Sequence, residues 1–375
     1  MSRIYLDHAS TSPLRESARA AMAEVADAGS HGLLGDPGRI HAEGMAARAT
    51  LEDARDRVAH WLGVRARQVV FTSGATESIA AVSWVAVSGG GHVVSSAVEH
   101  SAVRTWAQRC AYTEVGVDPT GTVDVEELSD AVRDDTAIVH LQWANHEVAT
   151  MQPVAEAVAA LDAMPGLLHV DAAQAGPAAP QVARSGADVV TLSGHKLGGP
   201  TGIGVTVVRR NLRLAPLMVG GDQERARRAG VENIAAAVGL AAVADELAST
   251  GAGELDRLAG LSSQVIDWAA RTDGVSLLGH PDERAPHLVC LALDGIEPQP
   301  VLLGLDQRGV AVHSGSSCSS EAFEPSPVLL AMGVDAQRSL RISAGWSSTE
   351  ADVDRALSAL DEVLSELRAL GRGTR

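Results

Sequence analysis

Five times between residues 68 and 193, a short run of apolar, mostly β-branched residues halts at a polar or glycine-bearing turn. The runs are Gln68 to Phe71, His92 to Ala97, Thr136 to Trp143, Leu167 to Val170 and Val189 to Leu192. Apolar character without alternation reads as strands buried on both faces. Helical stretches follow several of them: one through about Val87, one after Ser101 and one from Val154 to Ala163. Parallel neighbours need a crossover of about a dozen residues or more, usually a helix. The chain is therefore expected to be α/β, a mostly parallel sheet covered by helices.

In such sheets a ligand sits beyond the carboxyl ends of the strands. Those ends carry Thr72-Ser73-Gly74-Ala75-Thr76-Glu77-Ser78, His100, Asn145, Asp171 with Gln174, and Ser193 with His195 and Lys196. Polar groups from five strand ends can converge in one crevice. The first of these turns joins strand to helix and presents free backbone N–H groups at the positive end of a helix dipole, which suits a phosphate. It also reads as a plain helix cap. Lys196 closes a buried strand before Gly198-Gly199-Pro200. Desolvating walls there favour a nucleophilic amine able to form a Schiff base; a surface lysine in a loop is the plainer alternative.

The remaining pattern predicts helices from Pro13 to about Ala28 and from His41 to Leu62, a strand from Gly202 to Val208, and a helix from Ile234 to Leu247. It changes near Ser249-Thr250-Gly251-Ala252-Gly253, where a helix breaker cluster sits. Beyond it come a helix, strands Val275 to Leu278 and His287 to Leu293, a helix, a short strand Gly309 to His313, and an amphipathic helix from Thr349 to about Leu370. The expected division is a large domain of residues 13–248 and a smaller α+β domain of residues 1–12 plus 249–375.

Cys290 in its apolar run and Cys110, expected inside a helix, read as small core residues. Cys318 differs, lying in the polar loop His313-Ser314-Gly315-Ser316-Ser317-Cys318-Ser319-Ser320. A thiol on such a loop can ionise and visit a site, or be incidental. Three cysteines without pairing spacing speak against a disulfide framework or a zinc site. Arg341, in Leu340-Arg341-Ile342-Ser343, is a semi-buried guanidinium that calls for an anion, either a substrate carboxylate or a structural ion pair.

A formal charge of −17 argues against nucleic-acid backbone as a steady partner. No apolar run was expected to approach the roughly 20 residues of a membrane span. The first seven residues lack the apolar core of a signal peptide. The expected location is cytoplasmic, away from membranes.

Taken together, Thr72 to Ser78, Val98-Glu99-His100, Ala144-Asn145-His146-Glu147, Asp171-Ala172-Ala173-Gln174, Ser193-Gly194-His195-Lys196 and Ser314 to Cys318 resemble the cysteine desulfurases, pyridoxal-phosphate enzymes of the class V aminotransferase fold (fold type I). The resemblance runs from Tyr5-Leu6-Asp7-His8-Ala9 to Leu340-Arg341-Ile342-Ser343. It implies that Lys196 holds pyridoxal 5'-phosphate and moves protons, that Asp171 pairs with the ring nitrogen, that His100 stacks on the ring and acts in catalysis, and that Gln174 bonds the phenolic oxygen. It places the phosphate on Ala75, Thr76, Ser193 and His195, and the carboxylate of L-cysteine on Asn145 and Arg341. Cys318 would take the sulfur as a persulfide and release alanine. The loop is of the longer kind found in members that pass sulfur to an acceptor protein. The acceptor could serve iron–sulfur assembly, tRNA thiolation, DNA phosphorothioation or a specialised metabolite.

The resemblance also implies a homodimer. The chain departs from the family at Val231, where a threonine usually reaches the partner subunit's phosphate, and at Ala149, Asp36-Pro37-Gly38 and Gly199-Pro200-Thr201-Gly202. Its tail after the last helix is short. Two other readings remain: a C–S or selenocysteine lyase working by β-elimination, and a non-catalytic homologue acting as a binding subunit.

Overall fold

The computed structural model describes residues 3–27, 35–209, 212–314, 325–335 and 337–372. Its twelve strands are β1 (Ile4–Tyr5), β2 (Val69–Thr72), β3 (His92–Ser96), β4 (Ala111–Val115), β5 (Thr136–Gln142), β6 (Leu167–Asp171), β7 (Val189–Ser193), β8 (Gly204–Val208), β9 (Val275–Leu278), β10 (Leu288–Leu293), β11 (Val310–Ala311) and β12 (Ser339–Ser343). Seven form the central sheet in the order β2-β8-β7-β6-β5-β3-β4. β8 pairs antiparallel with both neighbours, and the other pairings are parallel. Every residue of β2, β3, β7 and β8 is buried, as expected of strands covered on both faces.

Two large apolar cores result, with three smaller clusters among the described residues. The larger gathers Leu51, Val58, Phe71, Val94, Val139, Val170, Val190, Val205 and Leu240 around the sheet and the helices Glu16–Asp27 and Ala42–Leu62, while Val82 and Ala86 of the helix Ala75–Gly89 pack in a smaller cluster with Val93 and Ile138. The second surrounds the small sheet β12-β10-β9, with Leu261, Val289, Leu305, Leu340 and Leu360. The N-terminal segment joins the second core: Ile4 and Leu6 are buried in it, and β1 pairs parallel with β11.

Three expectations change. The helix expected to stop at Leu247 continues from Ile234 to Ala270, 37 residues, straight through Ser249 to Gly253. The Ser249 and Thr250 hydroxyls bond back to the Glu246 carbonyl, and buried Gly251 faces Pro177, so tertiary packing overrides the local breakers. This helix is also long and apolar enough to cross a membrane by length and composition alone, contrary to expectation. Here its apolar residues are divided between the cores: Leu240, Val243 and Leu247 in one, and Leu258, Leu261 and Val265 in the other.

Strand β4 went unforeseen, because at the sheet's edge its residues are largely exposed and carry no apolar run. Cys110 consequently lies in the turn between the helix Ser101–Ala107 and β4, not inside a helix. It is half-buried, Cys290 is fully buried, and burial pushes both thiols up, Cys290 to about 12.

Candidate active site

The carboxyl ends of β2, β3, β5, β6 and β7 open onto one cleft of about 620 Å³. One wall comes from the central sheet: Ala75 and Thr76, His100, Asp171 with Gln174, and Ser193, His195 and Lys196 all line it. The opposite wall brings Ala9, Ser10 and Thr11 of the N-terminal segment and Arg341 of β12.

The helix Ala75–Gly89 aims its first turn into this space and has no side-chain cap. Strand β8 packs backbone to backbone against that turn, since a Cβ on Gly204 would come within 2.6 Å of Gly74 Cα. On the adjoining strand, buried Ser193 Oγ has no hydrogen-bond partner among the described residues. Uncapped amides and an orphaned hydroxyl in one corner make an anion site.

Lys196 sits in the helical turn Gly194–Leu197 that follows β7 and ends at left-handed Gly198. The Ser12 hydroxyl donates to its carbonyl at 3.2 Å, tying the turn to the N-terminal segment. His195 Nδ1 lies 3.1 Å from Thr11 Oγ1, and burial, then Lys196, lowers its pKa. Asp171 Oδ1 receives the Ala173 amide at 3.0 Å and the Thr191 hydroxyl at 3.4 Å. Gln174 is held at both ends of its amide: Oε1 lies 3.0 Å from His287 Nε2, and Nε2 donates to the Ala9 carbonyl at 3.0 Å. Burial, then Lys196, pushes His287 down to about 4, so this imidazole is neutral and donates.

His100 caps the helix Ser101–Ala107, its Nδ1 accepting the Ala102 amide at 3.1 Å. In that geometry a proton on His100 belongs to Nε2. Its ring meets His146 edge to face, with centroids 5.1 Å apart. His146 lines the cleft too, and burial, followed by His100 and Lys196, holds it well below its ordinary pKa.

Asn145 is not among the residues that line the cleft. The Asn145 carbonyl oxygen accepts the amides of Glu147 and Val148 at 2.8 and 2.9 Å, while its Nδ2 donates to the Val98 carbonyl at 3.0 Å. It is buried, and these bonds shape the turn between β5 and the cleft while leaving one of the two Nδ2 hydrogens uncommitted. Cys318 lies in residues 315–324, outside the described residues. Both flanks of that segment are tied near the cleft. The His313 backbone pairs with that of Arg341, and the Ser326 hydroxyl donates to Glu147 at 2.5 Å.

Arg341 reaches the cleft through a network already in place. It donates to Asp7 Oδ1 at 2.9 Å, Ser10 Oγ at 2.7 Å and the His146 carbonyl at 2.8 Å. Its Nε has no partner among the described residues. Both alternatives for Arg341 are thus present in one side chain, an ion pair with Asp7 and a cationic face on the cleft.

Glu99, His146 and Asp7 stand in the motifs quoted above with no role given to them, and His287 and Ser10 escaped sequence reasoning. Glu99 is buried, and that burial, followed by Asp171, pushes its carboxyl up to about 8. Its place beside His100 was a usable signal. His287 and Asp7 act across more than 100 and 300 residues of sequence, and no local pattern names those partners.

Comparison with known proteins shows the family of the chain. The profile of the family described as aminotransferase class-V matches residues 4–356. The cysteine desulfurase IscS 1 of Archaeoglobus fulgidus is 35% identical, over 98% of both chains. The IscS-like cysteine desulfurase of Mycobacterium tuberculosis is 37% identical over 97% of both. A solved NifS-like protein superimposes with a TM-score of 0.87 at 28% identity, covering 97% of this chain and 99% of its own.

Proposed function

The chain belongs to the class-V aminotransferase family and, within it, to the cysteine desulfurases, and from that premise we propose that it takes sulfur from L-cysteine onto Cys318. Pyridoxal 5'-phosphate is the cofactor of this reading, and the residues present fit it. The orphaned Ser193 Oγ and the uncapped turn at Ala75 and Thr76 suit its phosphate, and Asp171 suits its ring nitrogen. That orphaned hydroxyl, on a residue lining a cleft that also holds Lys196, is the observation that carries the reading.

When bound, the cofactor supplies an electron sink that lets bonds at the substrate's carbons break heterolytically. Lys196 Nζ would hold it and could carry a proton to and from the substrate's α-carbon. Gln174, pinned by His287 and Ala9, would offer its amide to the phenolic oxygen, and His100 would cover the ring. Arg341 offers its guanidinium to the substrate carboxylate, sharing itself with Asp7. The Cys318 thiolate attacks the substrate sulfur. An S–S bond forms, the C–S bond breaks, and its electron pair stays with the carbon that leaves as alanine after protonation.

A homodimer is part of the proposal. Ile40, Met45, Val219 and Val231 are exposed apolar residues, at 92, 58, 82 and 66%, an arrangement suited to burial against a second copy. Sedimentation should give twice the 38.7 kDa chain mass. The two-domain division, cytoplasmic residence and delivery to an acceptor protein complete the reading.

The product of the reaction tests it. Supplied with pyridoxal 5'-phosphate, L-cysteine and a reducing thiol, the protein should release alanine and sulfide in step. Cys318→Ala should bind cofactor normally and lose both. Pyruvate with ammonia, persisting in Cys318→Ala, would assign β-elimination instead.

A further inference from the structure

A line of buried polar side chains crosses the middle of the sheet where parallel strands are otherwise apolar. His140 of β5 and His169 of β6 are register partners, and their Nδ1 atoms lie 2.7 Å apart. His169 Nε2 lies 3.1 Å from Thr191 Oγ1 of β7, and Thr191 in turn donates to Asp171 Oδ1 at 3.4 Å. At the far end, His140 Nε2 lies 3.4 Å from the hydroxyl of Ser83. His140, His169 and Thr191 are completely shielded from solvent.

The directions of these bonds follow from charge. Burial pulls His140 down to about 3, and burial with His140 pulls His169 well below its ordinary value, so both rings are neutral. A neutral imidazole has one N–H and one lone pair. Thr191 gives its hydrogen to Asp171, so it must accept from His169 Nε2–H. His169 Nδ1 is then bare and accepts His140 Nδ1–H, which leaves His140 Nε2 to accept the Ser83 hydroxyl. Every donor points towards Asp171, and each member of the file is satisfied.

We propose that Ser83, His140, His169 and Thr191 are positioning residues that fix the Asp171 carboxylate for the cofactor's ring nitrogen. The inference rests on the pyridoxal-phosphate reading above. With Oδ1 engaged by Thr191 and the Ala173 amide, Oδ2 is the oxygen left to take the ring nitrogen. Ser83 belongs to the helix Ala75–Gly89, whose first turn faces the phosphate corner. One file therefore braces the anchors at both ends of the cofactor.

Thr191→Val, nearly isosteric, removes the last link, and Thr191→Ser keeps it. Affinity for pyridoxal 5'-phosphate, titrated by absorbance, should fall on the order of tenfold in Thr191→Val and return to within about twofold in Thr191→Ser, for one charge-assisted hydrogen bond. The ¹⁵N signals of the histidine rings, read on the same full-length proteins, should show Nδ1–H on His140 and Nε2–H on His169. In Thr191→Val both should move together, while His92, bonded to Thr136 and Thr113, stays still. Wild-type affinity in Thr191→Val, or a change confined to His169, would overturn the proposal. Failure of the wild type to bind pyridoxal 5'-phosphate would count against the cofactor reading alone, since the histidine signals need no ligand.

Discussion

Asn145 commits its carbonyl oxygen to two backbone amides and its nitrogen to the Val98 carbonyl, all in the interior. Truncation would strand three buried partners, and each unsatisfied group costs about 1–3 kcal/mol, partly recovered by relaxation. Asn145→Ala should therefore lower unfolding free energy by roughly 2–4 kcal/mol, read from urea denaturation, a loss that a purely substrate-facing side chain would not produce. Ser193 predicts the opposite pattern. Its hydroxyl already lacks a partner, so Ser193→Ala should leave stability unchanged to about 0.5 kcal/mol while weakening pyridoxal 5'-phosphate binding roughly tenfold. A large loss of stability would mean that the hydroxyl is bonded within the protein.

Among the elements, the strands of the central sheet were legible because burial on both faces leaves a continuous apolar run. Their polar carboxyl ends then marked the cleft, since parallel topology gathers them on one side. The edge strand β4 had no such signature, and the helix Ile234–Ala270 hid behind its small residues, which long-range packing holds helical. The histidine file stayed hidden for the same reason: His140, His169 and Thr191 become neighbours only through sheet register.

The loop after Gly221 shows how packing also holds strained backbone. Glu224, Arg225 and Ala226 are all left-handed, with φ of 48, 60 and 61°. Glu224 is locked there by a buried double hydrogen bond to Arg55 and by the Phe71 amide. Ala226 is exposed and has only its Cβ strain to lose, so Ala226→Gly should raise the urea midpoint, by about 1 kcal/mol of stability. No gain would mean that the backbone relaxes in solution.

At the scale of the whole molecule, buried neutral histidines set the response to acid. His8, His140 and His287 are pulled down to about 4, 3 and 4, and His146 and His169 lie well below their ordinary value, in each case first through burial. The unfolded chain binds protons at these sites near pH 6.5, and the folded chain does not. Their stabilisation is present above that pH and is lost as the pH falls towards 4. Glu99 opposes them: with its carboxyl raised to about 8, its contribution is full below about 4.5 and fades as the pH rises through 8. Five histidines outweigh one carboxyl, so the urea midpoint should drop steadily between pH 7 and 5. A flat profile would show that these rings reach solvent.

The helix Ile234–Ala270 is roughly 55 Å long at 1.5 Å per residue, and each half is gripped by a different core. It acts as a beam clamped at both ends. Rocking one core against the other would have to bend its middle, where Ser249 to Gly253 supply neither a proline nor a break in the helix. Amide exchange at those five residues should accordingly follow global unfolding, in contrast to the early exchange of a hinge. Access to the cleft is then left to movements smaller than the cores themselves.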